Sequence, residues 1–140
     1  MKIKYDISLI NIMSLFEQVT HAKLKDCFMD EKLNSLTFVV LPGEMGKALG
    51  KKASNVRLLE SKLQKKIRVV EFNSDKLQLI QNMVMPLRVE DISEDDNGII
   101  TIRGPDTKTK GLLIGRNAQN LRNLEENVRR YFEVKEIKVV

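Results

Sequence analysis

One segment of this chain of 140 residues is written twice. Leu49-Gly-Lys-Lys-Ala-Ser-Asn-Val-Arg-Leu-Leu-Glu60 returns 65 residues on as Ile114-Gly-Arg-Asn-Ala-Gln-Asn-Leu-Arg-Asn-Leu-Glu125. Gly50/Gly115, Ala53/Ala118, Asn55/Asn120, Arg57/Arg122, Leu59/Leu124 and Glu60/Glu125 are identical in register, and Lys51 and Arg116 are both cationic. Self-similarity at a fixed offset is the mark of a duplicated structural unit. The chain therefore reads as two units, residues 1–73 and 74–140, that meet at Asn73-Ser74-Asp75. Units of about 70 residues have thin cores, so the two are expected to pack on each other as one rigid body.

The pattern between the repeats has the same order in both halves. Leu9, Ile12, Met13, Phe16 and Val19 recur at helical spacing after Asp6, a candidate N-cap, and this helix ends near Thr20-His21. Lys23 to Met29 and Leu36 to Leu41 read as strands joined by the polar turn Asp30 to Ser35, and Pro42-Gly43 stops the second strand. A short helix from Glu44 to Leu49 breaks at Gly50. A longer helix from Ala53 carries Val56, Leu59 and Leu63 inward, and Lys66 to Phe72 is a strand. The cycle restarts after a Ser74 or Asp75 cap, with Leu77, Ile80, Met83 and Val84 on one helical face. Strands are expected at Pro86 to Ile92 and Gly98 to Gly104, around a turn with the hairpin signal Asn97-Gly98. A short helix then reaches Ile114, a long helix runs from the second turn to about Phe132, and Glu133 to Val140 closes as a strand.

The formal net charge is +5 and the pI is near 9.4, which favours an anionic partner. The basic residues are not spread evenly. Lys47, Lys51, Lys52, Arg57, Lys62, Lys65, Lys66 and Arg68 gather around the first glycine turn, and Lys108, Lys110, Arg116, Arg122, Arg129 and Arg130 around the second. Glu90, Asp91, Glu94, Asp95 and Asp96 form an acidic hairpin that reads as a solvated face. The first amide groups of a helix lack partners and carry partial positive charge, so a phosphate is a natural ligand there. A glycine just before such a helix removes the Cβ that would hold a sugar-phosphate chain away, and Lys51 or Arg116 supplies a cation. Asn55 and Asn120 can either satisfy backbone near the turn or read a base. Arg57 and Arg122 can either meet phosphate or pair with Glu60 and Glu125 along the helix.

Leu49-Gly-Lys-Lys-Ala and Ile114-Gly-Arg-Asn-Ala, each between two helices, resemble the GXXG loop of K-homology (KH) domains, which clamp about four nucleotides along the backbone. The element order resembles the type II arrangement. Two such units in tandem, over nearly the whole chain, are similar to the NusA-like tandem KH-domain family and its short archaeal-type members. The resemblance implies an α/β (α+β) protein of two type II KH domains, each a small three-stranded sheet packed with three helices. It implies a single-stranded RNA-binding factor that acts with RNA polymerase in transcription elongation or termination. The residues it places on RNA are Gly50, Lys51, Lys52, Ala53, Asn55, Arg57, Gly115, Arg116, Asn117, Ala118, Asn120 and Arg122. Two alternatives stand beside this reading: a ribosomal RNA-binding or ribosome-assembly role, and a protein-interaction module with degenerate grooves. Both loops depart from the family by ending in alanine rather than a second glycine. Alanine fits the first turn of a helix but not a position with positive φ, so each loop is expected to keep its shape with a narrower throat.

Other chemistries find little in the sequence. The one histidine, His21, cannot join a plausible triad, and no His/Cys cluster has metal-ligand spacing. Gly43 to Lys52 is rich in glycine and lysine but lacks the G-x-x-x-x-G-K-[ST] pattern of a nucleotide-binding loop. Neither an enzyme nor a cofactor is expected. The lone Cys27 reads as a buried small hydrophobe in a reducing, cytoplasmic compartment, and no run approaches the roughly 20 apolar residues of a membrane span. The aromatics fall mostly on apolar faces, so stacking of bases on rings is not expected to be the main device.

Overall fold

The computed structural model describes residues 7–30 and 33–140. The Asp6 cap, Glu31 and Lys32 lie outside the described residues. The chain forms two compact units that meet between Asn73 and Ser74.

The first unit runs α1 (Ile7–Thr20), β1 (Leu24–Asp30), β2 (Ser35–Val40), α2 (Met45–Leu49), a 3-10 turn (Lys51–Ala53), α3 (Ser54–Leu63) and β3 (Lys66–Glu71). β1 and β2 pair antiparallel and β2 and β3 pair parallel, in the order β1-β2-β3. A parallel pair needs a long crossover, and here it is α2, the glycine turn and α3. The central strand β2 is buried at every residue, which is why Ser35-Leu-Thr-Phe-Val-Val40 reads as a continuous run rather than an alternation. Phe16, Cys27, Leu36, Phe38, Val40, Ala48, Leu59 and Ile67 pack into one core, with Val56 and Leu63 against it. The Phe16 and Phe38 rings stack with centroids 4.2 Å apart. At the end of α1, His21 takes φ 58° and its amide donates to the Glu17 carbonyl, so it serves as a helix cap.

The second unit repeats this plan with α4 (Lys76–Val84), β4 (Asp91–Glu94), β5 (Ile99–Arg103), α5 (Thr107–Ile114), a 3-10 turn (Arg116–Ala118), α6 (Gln119–Arg129) and β6 (Glu136–Val139). Its sheet is β4-β5-β6, again antiparallel then parallel. Equivalent residues occupy equivalent places: Leu36 pairs with Ile67, and Ile100 with Ile137. Asp75 caps α4 by accepting from the Leu77 amide, 3.1 Å. Asp106 caps α5 by accepting from the Thr109 amide, 2.7 Å.

Three boundaries differ from the sequence reading. The strand expected at Pro86 to Ile92 is β4 at Asp91–Glu94, because the Leu87 amide donates back to the Val84 carbonyl and Pro86 has no amide to give a ladder. Its acidic residues lie on an edge strand, where charge discourages pairing with another chain. The hairpin turn is closed by Asp95, whose Oδ1 accepts from the amides of Asn97 and Ile99. Helix α6 stops at Arg129 rather than Phe132, and β6 starts at Glu136 rather than Glu133. The Arg129 guanidinium donates to the carbonyls of Val134 and Lys135 and holds that bend. On α4, Leu79 rather than Leu77 is buried beside Ile80, Met83 and Val84.

Candidate nucleic-acid interface

Each glycine turn sits inside its crossover, between the short helix and the long one, and the two turns have the same backbone. Gly50 has φ 72°, ψ 178°, and Gly115 has φ 75°, ψ 174°. This region is essentially closed to residues with a side chain. The next positions also match: Lys52 (53°, 36°) with Asn117 (54°, 33°), and Ala53 (58°, 29°) with Ala118 (59°, 23°).

The asparagines explain the glycines. Asn55 Nδ2 donates to the Lys47 carbonyl at 2.9 Å, and Asn120 Nδ2 donates to the Leu112 carbonyl at 2.9 Å. Each thus satisfies an orphan carbonyl at the end of the preceding short helix and latches the two helices together. To do so the amide lies over the glycine. A Cβ on Gly50 would stand 2.8 Å from Asn55 Nδ2, and one on Gly115 would stand 2.6 Å from Asn120 Cγ. The space left by the missing Cβ is therefore filled from within the chain rather than left open for a sugar-phosphate backbone. Of the two readings open for the asparagines, bracing of the backbone accounts for their Nδ2 groups.

The alanines do not stand where sequence reasoning put them. Ala53 and Ala118 take left-handed backbone angles, the conformation that alanine was expected to avoid. The turn keeps its shape at a cost of roughly 1–2 kcal/mol per left-handed residue. Restoring glycine removes that strain but adds freedom to the unfolded chain. Ala53→Gly and Ala118→Gly are each expected to stabilise their unit by about 0.5–1 kcal/mol, read from chemical denaturation midpoints at an unchanged m-value. The alanines also leave α3 and α6 without a side-chain N-cap, so no serine or aspartate oxygen competes for the first amides of either helix.

The cations sit at the tips. Lys51, Lys52, Arg116 and Asn117 are exposed, as are Arg57 and Arg122 on the first turn of each long helix. The two arginines have different partners. Arg57 Nη1 donates to the Lys52 carbonyl within the loop. Arg122 Nη1 lies 2.7 Å from Glu125 Oε1, and that contact holds the guanidinium pKa above its ordinary value. Glu60 and Glu125 have a job that the repeat alone did not reveal. Glu60 Oε2 accepts from the Ile67 amide and Glu125 Oε2 from the Ile137 amide, tying each long helix to an edge strand.

Sequence reasoning also missed Gly46 and Gly111. They lie four residues before the loop glycines, at the same 65-residue offset, and their carbonyls accept from Gly50 and Gly115. A Cβ at either would meet nothing within 4 Å. Glycine inside a helix with open space around it lowers helix stability and leaves room for another backbone. At the start of α5, the Thr109 amide and hydroxyl hold the Asp106 carboxyl below the usual range, helped by Lys108 and Lys110. A depressed carboxylate contributes its stability above its unfolded value and loses it as pH falls through the lowered one. Burial pulls the Arg68 pKa down.

Two three-stranded units, each carrying a glycine turn between helices in the crossover of its parallel pair, form the architecture of KH-domain proteins. A family profile described as KH domain matches residues 12–84, from α1 through α4. The chain is 32% identical over 142 residues to a protein of Methanococcus vannielii named "Probable transcription termination protein NusA", covering 100% of this chain and 81% of that one. A protein of the same name from Halococcus morrhuae is 27% identical, with 99% of each covered. The crystal structure of APE1850 superposes with a TM-score of 0.77 at 27% identity, covering 97% of this chain and all of that one. The chain belongs to the NusA-like family of KH-domain proteins. Among the described residues no helix is long and apolar enough to cross a membrane, and no group of His, Cys, Asp and Glu is placed to hold a metal ion.

Proposed function

We propose that this protein is an RNA-binding transcription factor that holds single-stranded RNA at both glycine turns and acts with RNA polymerase in elongation or termination. The observation that carries the reading is the pair of loops with one backbone, each presenting exposed cations at a helix start that no side chain caps. Lys51, Lys52 and Arg57 in the first unit, and Arg116, Asn117 and Arg122 in the second, surround the phosphate. Gly50, Ala53 and Asn55, with Gly115, Ala118 and Asn120, give the turn the shape that brings backbone amides to it. Gly46 and Gly111 leave the neighbouring helix low enough for a strand to lie against it. The names of the relatives support the role in transcription.

Phosphate contacts make affinity depend on salt. For an unstructured RNA of about ten nucleotides, log Kd plotted against log salt is expected to slope by about 0.7 per phosphate neutralised. Titration of a labelled strand across a salt series tests this. Affinity that ignores salt between low and physiological concentrations sinks the phosphate clamp and leaves the loops to a protein partner.

A further inference from the structure

The two loops share a backbone but not an electrostatic balance. In the first unit the Arg57 guanidinium is bound by a neutral group, the Lys52 carbonyl, so it braces the loop without a carboxylate opposing it. Its same-helix acid, Glu60, is engaged by the Ile67 amide, and Arg57–Glu60 is not among the ion pairs of the described residues. In the second unit the equivalent Arg122 is held 2.7 Å from Glu125, whose side chain is 4% exposed. Glu125 cannot swing away to release it, because its other oxygen accepts from the Ile137 amide at 2.7 Å. The tip residues widen the difference: Lys51 is followed by Lys52, whereas Arg116 is followed by neutral Asn117. Arg129, which the sequence grouped with the second loop, is directed to the Val134 and Lys135 carbonyls.

We propose that the grooves are unequal: the first is the main phosphate clamp, and Glu125 attenuates the second by sequestering Arg122. The inference rests on the RNA-binding reading above and runs against the expectation from sequence that Arg116, which can make a forked contact that Lys51 cannot, gives the second loop the stronger hold. A loop already braced in its binding shape loses less freedom when a ligand arrives, and an arginine opposed by a fixed carboxylate gains less from a phosphate. Glu125 is thereby a specificity-determining residue for which groove a strand enters first.

The test uses the full chain and a fluorescein-labelled ten-nucleotide oligouridylate, read by anisotropy at about 50 mM salt, where phosphate contacts weigh most. Lys51→Gln is expected to weaken binding about fivefold or more, and the equivalent Arg116→Gln less than about twofold. Glu125→Gln keeps an acceptor for the Ile137 amide but frees Arg122. It is expected to tighten binding about two- to threefold and to steepen the salt slope by about 0.7. Glu60→Gln is expected to change neither. Arg57→Gln should weaken binding about threefold and Arg122→Gln by a smaller factor, less than about twofold, a comparison that does not depend on how well the Glu125 variant folds. Arg116→Gln costing as much as Lys51→Gln, or Arg122→Gln as much as Arg57→Gln, overturns the inequality. A folded Glu125→Gln protein that binds no tighter than the parent overturns the role of Glu125. No loss from either Lys51→Gln or Arg116→Gln overturns RNA binding at the loops itself, a different outcome from equal losses at both.

Discussion

Gly115→Ala is expected to destabilise the second unit by about 3 kcal/mol, the sum of roughly 1–3 kcal/mol for a side chain at a glycine-only backbone position and about 1 kcal/mol for a broken hydrogen bond. The new Cβ would fall 2.6 Å from Asn120 Cγ and 2.9 Å from the Asn120 backbone nitrogen. Moving the asparagine aside relieves the first contact at the expense of its bond to the Leu112 carbonyl, and leaves the second. At Gly50 the nearest atoms are all side-chain atoms of Asn55 and Ser54, 2.8–3.0 Å away, so Gly50→Ala is expected to cost less, about 2 kcal/mol. For a unit of this size, 3 kcal/mol lowers the midpoint of thermal unfolding by about 12–24 °C. Circular dichroism melts of the full chain decide the matter. A Gly115→Ala protein that melts within a few degrees of the parent would show that neither the backbone angle nor the asparagine latch constrains the loop.

The largest effect on binding is expected from Lys51-Lys52 changed to Asp-Asp. Both side chains are exposed and tied to nothing that the fold needs. Negative charge at a helix start is mildly favourable, roughly 0.3–1 kcal/mol, so the variant should melt at or slightly above the parent temperature. Affinity for a short unstructured RNA should fall about 10- to 100-fold at low salt, because two cations are lost and two anions gained where phosphate belongs. Arg116-Asn117 changed to Asp-Asp should cost less, since that tip starts with one cation. Neutralising Glu94-Asp95-Asp96, on the acidic hairpin, should leave affinity unchanged or slightly higher. A folded Lys51-Lys52 variant that binds RNA as the parent does would remove the first loop from the interface.

How far the sequence could be read depended on the range of the interactions involved. The duplicated turn between a short and a long helix, the cap at Ser74 or Asp75 and the strand stop at Pro42-Gly43 are written in a few neighbouring residues, and these were legible; the parallel pairing across the turn was not. Gly46 and Gly111 are equally legible at the same offset, three residues ahead of Leu49 and Ile114. The strand at Asp91–Glu94 was misplaced because the apolar residues Leu87, Val89 and Ile92 follow Pro86, while the observed strand presents acidic residues on an edge. What decided it was the Leu87 amide turning back to Val84. The pairing of Arg122 with Glu125 was one of the two readings open for it, but that Arg57 would turn to the Lys52 carbonyl instead of Glu60 could not be read. The two arginines are identical in the repeat, and their divergence depends on where a loop carbonyl and a buried carboxylate lie in space.

The asparagine latch joins residues only eight apart, and this has a consequence in time. Segments of about ten residues close in roughly 10–100 ns, far faster than sheet strands separated by a whole crossover can come apart and reassemble. A thermal fluctuation that breaks the bond between Asn55 and the Lys47 carbonyl therefore heals before the surrounding sheet has responded. A strand held there, as proposed, would meet the turn as a rigid edge on the timescale of its own departure. Under the proposed function, residence time would then be set by the phosphate contacts and the salt around them, not by the opening of the loop.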